Sequence, residues 1–200
     1  MAKEGIKFLS IFLLLAIVSL FWFKWLSIPF FLLSAFCIYF FRDPRREIPD
    51  GREYILSPAD GRVIGIEELP EQNMRKISIF MSIFNVHVNR IPYDGRVKKI
   101  TYKRGNFKPA NSPSSLRNEQ NIIEVENDEG WGYKLVQVAG IIARRIVCRI
   151  KEGETVKKGE KFGLIMFGSR VDLYIPKNFL INVKKGEKVK GGETIIGRIR

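Results

Sequence analysis

Apolar residues fill the chain almost without interruption from Phe8 to Phe41, and then give way to short alternating runs. Within that stretch only Lys24, Pro29 and a few serines break the pattern. Lys24 divides it into Phe8–Phe23 and Trp25–Phe41, each about as long as the shortest spanning helices, roughly 17 residues. A helix of that length reaches about 26 Å, slightly under the bilayer core. One continuous helix through Lys24 would be too long for its bilayer and would carry Pro29 in its interior. A cleaved signal peptide fits less well, because a small-residue cleavage pattern is missing and a second apolar run follows at once. The pattern predicts a two-helix membrane hairpin turning near Lys24–Pro29, with residues 1–46 as the anchor. A re-entrant or interfacial segment is the alternative. Lys3 and Lys7 at one end, with Arg42, Arg45 and Arg46 at the other, put both ends on the cytoplasmic side by the positive-inside rule. Trp22, Phe23 and Trp25 would then lie at the far interface.

Beyond Arg42-Asp43-Pro44 the pattern predicts a mainly β domain over residues 47–200. Strand-like runs recur at Tyr54–Leu56, Arg62–Ile66, Lys76–Met81, Val86–Arg90, Arg96–Tyr102, Asn121–Glu126, Gly132–Val138 and Ile146–Ile150. Four more follow at Lys161–Phe167, Val171–Ile175, Phe179–Val183 and Thr194–Ile199. Asp60-Gly61, Asp94-Gly95, Glu152-Gly153, Lys158-Gly159 and Gly191-Gly192 supply turns between them. Strands at this spacing argue a barrel or sandwich. A short helix is expected over Gly140–Arg145. Arg104–Asn118 carries Pro109, Pro113 and serines but no strand pattern, and a loop of that length is usually functional or disordered. Val156-Lys157-Lys158-Gly159-Glu160-Lys161 recurs as Val183-Lys184-Lys185-Gly186-Glu187-Lys188. Such hairpins resemble the halves of lipoyl and biotinyl carrier domains. The modifiable lysine tripeptides of carriers, Met-Lys-Met or Asp-Lys-Ala, do not occur, so the repeat argues architecture and not a swinging arm.

Charge then narrows the setting. The chain carries a net +13, of which residues 1–41 hold only Lys3, Lys7 and Lys24 against Glu4. The basic excess therefore lies in the β domain, where a solvated face, an anionic membrane or nucleic acid could account for it. A hydrophobic anchor favours the membrane, where each basic residue near the surface adds about 1 kcal/mol. Nucleic acid is not expected, since the aromatics cluster in the apolar segment and do not interleave with Lys and Arg. Cys37 and Cys148 are too few and too separated for a disulfide framework. No metal site is expected.

The candidate chemistry centres on Phe167-Gly168-Ser169-Arg170, set between two strand runs about 31 residues from the C-terminus. Gly-Ser is also an ordinary turn pair. Three further features stand with it: Ser57-Pro58-Ala59-Asp60-Gly61, the segment Asn85-Val86-His87-Val88-Asn89-Arg90, and the membrane-seeking N-terminus. Together with Gly105-Asn106-Phe107, Asn118-Glu119 and Phe162–Pro176, their order and spacing resemble the phosphatidylserine decarboxylase proenzymes, especially the shorter form. The resemblance covers most of residues 40–200.

That resemblance implies self-cleavage. Ser169 Oγ attacks the Gly168 carbonyl, β-elimination cuts the chain, and residue 169 becomes a pyruvoyl group. Residues 1–168 and 169–200 would be the β and α chains of one folded heterodimer. The pyruvoyl group would form a Schiff base with a serine-headed phospholipid, phosphatidylserine or archaetidylserine, and release CO2 to leave the ethanolamine lipid. It plays the electron-sink part that pyridoxal phosphate fills elsewhere. The resemblance further implies roles for His87 as general acid–base and for Asp60 as the acidic member of a triad with Ser169. A lone histidine on a strand is otherwise a structural one, and Asp60 a plain turn residue. Longer relatives carry a second histidine where this chain has Arg90, which cannot act as a base near neutral pH. The division of labour around His87 is therefore open. Asn106 and Phe107 belong to a loop the resemblance places near substrate. Arg170 is expected either to contact substrate phosphate or carboxylate, or to pair with Asp172.

Two other classes compete with a membrane-bound decarboxylase: an anchored adaptor or carrier-like β domain, and a basic membrane-binding module. Both predict an intact chain and a replaceable Ser169. Sequence leaves the lipid core and any homo-oligomer open.

Overall fold

A computed structural model describes residues 1–140, 145–166 and 168–199. The chain divides into two compact units, Met1–Arg45 and Arg46–Arg200.

The first unit is a pair of helices, α1 (Lys3–Trp22) and α2 (Lys24–Phe40). Their free ends meet, with the Ala2 N–H donating to the Phe41 carbonyl at 2.8 Å and Phe8 stacked on Phe41. The turn falls on Phe23 alone. Pro29 is not in the turn, as the sequence pattern suggests, but one turn inside α2. So near the helix start, its missing N–H removes a single backbone bond, which the helix tolerates. Ser10, Ser19 and Ser34 donate their hydroxyls to carbonyls four residues back. Their polarity is thus satisfied within the helix, as a lipid environment requires. Phe21, Trp22 and Trp25 are 83, 76 and 85 % exposed, so large apolar side chains cover the outside of the pair. α1 is long and apolar enough to cross a membrane, and α2 is a shorter apolar helix of 17 residues.

The second unit is mainly β. Its strands are β1 (Tyr54–Leu56), β2 (Gly61–Leu69), β3 (Met74–Met81), β4 (Val88–Arg90), β5 (Gly95–Lys103), β6 (Gln120–Glu126) and β7 (Gly132–Val138). They continue as β8 (Ile146–Cys148), β9 (Thr155–Val156), β10 (Lys161–Ile165), β11 (Ser169–Pro176), β12 (Leu180–Ile181), β13 (Lys188–Val189) and β14 (Ile195–Arg198). An eight-stranded, curled sheet runs in the order β13-β2-β3-β11-β7-β6-β5-β9. Two three-stranded sheets, β1-β14-β12 and β4-β10-β8, complete the unit. Each sequence-predicted run contains a strand; the sequence pattern did not reveal β9 and β13, pairings of two residues each.

β11 lies in the interior of the large sheet, antiparallel to β3 on one side and β7 on the other. Its β-branched and leucine positions Val171, Leu173 and Ile175 are fully buried against Ile77, Ile79 and Leu135. Each such side chain adds about 1.5–3 kcal/mol by leaving water. Residues on both sides of Ser169 are thus held in one core.

The Lys-Lys-Gly-Glu repeat forms matching turns. The Glu160 carboxylate accepts from the Lys157 N–H, and the Glu187 carboxylate from the Lys184 N–H. A third copy places Glu154 on the Lys151 N–H. The loop between β5 and β6 is held shut: Asn106 and Asn118 form a bridge, and the Asn118 side chain bonds Lys108 and Ala139. The helix expected over Gly140–Arg145 falls mostly on residues 141–144, outside the described residues.

Candidate functional site

Ser169 is the first residue of β11, opposite Met81 at the end of β3, and it is fully buried. Its hydroxyl donates to the Met81 thioether at 3.7 Å. The preceding Gly168 has φ +64°, a left-handed conformation that costs a residue with a Cβ about 1 kcal/mol or more. Gly140, just after β7, comes so close that any Cβ there would overlap the Gly168 carbonyl oxygen. The peptide between Gly168 and Ser169 is therefore held in a turned conformation, with its carbonyl against a bare glycine backbone. The sequence reading passed over Gly140 because it counted that residue as the start of a helix.

His87 is buried just before β4. Its Nδ1 lies 2.9 Å from the Asn85 carbonyl. A carbonyl can only accept, so this bond requires the proton on Nδ1 and leaves Nε2 as the basic atom of the neutral ring. Asn85 is itself fixed in a tight turn, its side-chain oxygen accepting from the Ser82 N–H and hydroxyl. Arg90 is a buried clamp: its guanidinium donates to the Gly159 carbonyl and its N–H to the Pro58 carbonyl.

That last bond brings β4 against the Ser57–Asp60 turn. The Ser57 hydroxyl closes the turn onto the Ala59 carbonyl. Asp60 then points to cations and amides. Arg46 reaches both its oxygens, at 2.9 and 2.8 Å, and the Gly191 N–H donates to Oδ1 at 2.8 Å. Arg46 also faces Glu193 at 3.5 Å. The segment holding Gly191 and Glu193 is a variant of the repeated turn. In it the Lys190 N–H goes to the Thr194 hydroxyl, freeing Glu193 for Arg46. Asp60, Glu193, Arg62, Lys190, Phe84 and Asn85 line a cleft of about 980 Å³.

The structure therefore joins Asp60 to Arg46 and Gly191, and Ser169 to Met81; the hydrogen bonds of Asp60 and Ser169 do not run through His87. Arg170 makes the ion pair with Asp172, at 2.8 Å with both side chains nearly buried. It also donates to the Ala110 carbonyl and the Ser115 hydroxyl, tying the β5–β6 loop to β11. Its guanidinium borders a smaller cleft of about 320 Å³ with Lys76, Glu67 and Ser78. Asn106 is exposed and works through its backbone, while Phe107 packs partly buried on the core. Arg46, Glu193, Gly191, Met81 and Gly140 were not singled out from sequence. For the charged members the only signal was an arginine at the end of the anchor, read there as a flanking charge, and a glutamate in an imperfect repeat.

The arrangement offers a buried hydroxyl adjoining a peptide carbonyl in a glycine turn, a nearby segment with an imidazole whose Nε2 is basic, and an open cleft lined by charges of both signs. Comparisons with known proteins bear on it. The sequence profile of the phosphatidylserine decarboxylase family matches residues 33–197. A phosphatidylserine decarboxylase proenzyme from Syntrophus aciditrophicus is 45% identical over 204 residues, covering 98% of this chain and 96% of the relative. One from Magnetococcus marinus is 45% identical over 207 residues, covering 100% and 95%. One from a Wolbachia of Brugia malayi is 42% identical, covering 98% and 90%. By these matches the chain belongs to the phosphatidylserine decarboxylase family.

Proposed function

We propose that this chain is a membrane-held proenzyme that cuts itself between Gly168 and Ser169 and then decarboxylates the serine head group of phosphatidylserine. The observation that carries the reading is the Gly168–Ser169 junction itself. A buried serine opens an interior strand, preceded by a glycine at φ +64° whose carbonyl faces Gly140. Glycine takes up such a turn without the steric cost a Cβ would add, and it leaves the carbonyl carbon open to attack.

The cut proceeds in balanced steps. Ser169 Oγ bonds to the Gly168 carbonyl carbon while the hydroxyl proton passes to the departing Ser169 nitrogen, giving an ester and a free amine. Loss of the Ser169 Cα proton then breaks the Cβ–O bond, releasing the Gly168 carboxylate and leaving dehydroalanine at residue 169. Its imine tautomer takes up water and loses ammonia, so the fragment 169–200 begins with a pyruvoyl group. The site fits that group: residue 169 sits in a dry core, and β11 stays paired to β3 and β7 whatever happens at its first peptide. Its conjugated carbonyl supplies an electron sink for the pair left behind by CO2.

The remaining residues bind, orient and move protons. His87 Nε2 carries the proton to or from the reacting carbon, with Nδ1–H held on the Asn85 carbonyl. Asp60 holds Arg46 and accepts from the Gly191 N–H, at the wall of the larger cleft. Arg62 and Lys190 on that cleft suit the lipid phosphate. Arg170, Asn106 and Phe107 fix the β5–β6 loop over the junction's flank. The helical pair would anchor residues 46–200 at the cytoplasmic leaflet, because Lys3, Lys7, Arg42 and Arg45 lie at its joined ends.

Intact mass under denaturing conditions tests the reading. Wild type should give two fragments, residues 1–168 and 169–200, the latter with a blocked N-terminus; Ser169→Ala should stay whole. A folded wild type that remains one chain would overturn it in favour of an anchored, non-enzymatic β domain.

A further inference from the structure

The Ser169 hydroxyl terminates a chain of buried side chains that the cut as described does not use. Asn121 on β6 donates through Nδ2 to Gln137 Oε1 at 2.9 Å. Gln137 on β7 donates through Nε2 to Asn89 Oδ1 at 2.8 Å. Asn89 on β4 donates through Nδ2 to the Met81 sulfur at 3.6 Å, and that sulfur is also the acceptor for Ser169 Oγ. Every member is nearly or wholly shielded: Asn89, Gln137, Met81 and Ser169 are 0 % exposed and Asn121 1 %. The chain crosses from the β4-β10-β8 sheet into the eight-stranded sheet.

Amides in a dry core are costly unless each is paired, so a run of them is an unusual way to fill space. A ladder serving packing alone would close on another amide or a backbone group. This one closes on a thioether, a weak acceptor, and shares it with the candidate nucleophile. The two donors, Asn89 N–H and Ser169 O–H, occupy the sulfur's two lone pairs. Core packing holds the Met81 side chain, and Asn89 adds the one side-chain hydrogen bond besides that of Ser169 that directs its sulfur. Met81 in turn fixes the rotamer of Ser169. A weak acceptor has a specific merit here. It sets the position of Oγ and keeps the hydroxyl neutral, yet releases the proton at little cost when the oxygen attacks. A carboxylate in its place would hold the hydroxyl more tightly.

We infer that Asn89, backed by Gln137 and Asn121, is a positioning residue that acts through the Met81 sulfur to set the Ser169 hydroxyl for self-cleavage. This rests on the proposed cut at Gly168–Ser169. Met81→Leu keeps volume and apolarity while removing the acceptor. Asn89→Leu removes the donor, and the double variant tests whether the two act as one. The full chain is made by cell-free synthesis with vesicles of phosphatidylcholine and phosphatidylglycerol, and the 169–200 fragment is followed by mass against time. Stability is measured separately on the same substitutions in a Ser169→Ala background, where every chain is uncut.

Each single variant should mature about fivefold to tenfold more slowly, the worth of one buried hydrogen bond, and the double variant no more slowly than the slower single. Met81→Leu in the uncut background should melt no more than about a few degrees below its parent, because the Asn89 N–H loses only a weak acceptor, and should stay folded at the assay temperature, which separates rate from folding even if Asn89→Leu unfolds. Maturation of Met81→Leu at the wild-type rate or faster, or independent, multiplying effects in the double variant, would overturn the inference and leave the cut itself standing. Wild type that never cuts would overturn both.

Discussion

Ser169 and Asp60 belong to one β unit, yet their surroundings are of different kinds. Around Ser169 the partners are neutral: a thioether, carboxamides, and the bare backbone of Gly140. Burial raises the thiol pKa of Cys148, which donates to the Ile150 carbonyl. Asp60 is paired with Arg46, which also faces Glu193, and with the Gly191 N–H, on the wall of an open cleft. The contacts of the Ser169 hydroxyl are neutral and shielded, with the nearest charges paired as Arg170–Asp172. The cleft beside Asp60 is open and lined by charges of both signs. A single fold can supply both because β11 is interior and the Asp60 turn is at a rim.

The comparison breaks most sharply at Gly140. Gly140→Ala places a methyl on the Gly168 carbonyl and should slow maturation about tenfold to hundredfold. Gly65→Ala, whose Cβ would meet only ordinary contacts of 3.5 Å, should mature normally. Fragment mass against time reads both. In the charged half, Arg46→Ala leaves Asp60 with one N–H donor. That should cost about 3 kcal/mol in urea unfolding of the Ser169→Ala chain, as removal of one partner of a buried pair does. Glu193→Gln, a more exposed partner 25 % accessible, should cost less than about 1 kcal/mol and fade with salt. Salt should leave the maturation rate of the neutral half nearly unchanged.

The smallest effect lies farther along β11. Burial, then the Asp172 charge, pushes the Tyr174 hydroxyl up to about 12. In the unfolded chain it titrates near 10. The folded state thus binds the proton more tightly, so this stabilisation is complete below pH 10 and is lost as pH rises toward 12. Tyr174→Phe should give a shallower alkaline decline in melting temperature.

Much of this was legible in the sequence. β-Branched runs located the strands, because a half-buried pleated surface selects those side chains. The Gly168-Ser169 pair, the Asp60 turn and the His87 segment stood out as punctuation. What escaped has physical causes. β9 and β13 are pairings too short to have a period. Pro29 looked like a breaker, but a proline one turn into a helix removes only one bond. Asn89, Gln137 and Asn121 read as polar positions on strands; only the fold shows that sheets cover them on both sides. Gln137 between Val136 and Val138 was the available hint, an amide in an otherwise apolar run. Arg170 pairs with Asp172, as one of its two sequence readings expects, but the pair is buried and not at the surface.

In the proposed mechanism residue 169 becomes the reactive carbonyl. Wild-type protein incubated with phosphatidylserine and cyanoborohydride, then separated and weighed fragment by fragment, probes that residue. A lipid-amine adduct is expected on the N-terminal residue of the 169–200 fragment. An unmodified 169–200 fragment alongside CO2 release, or an adduct on residues 1–168, would rule the mechanism out.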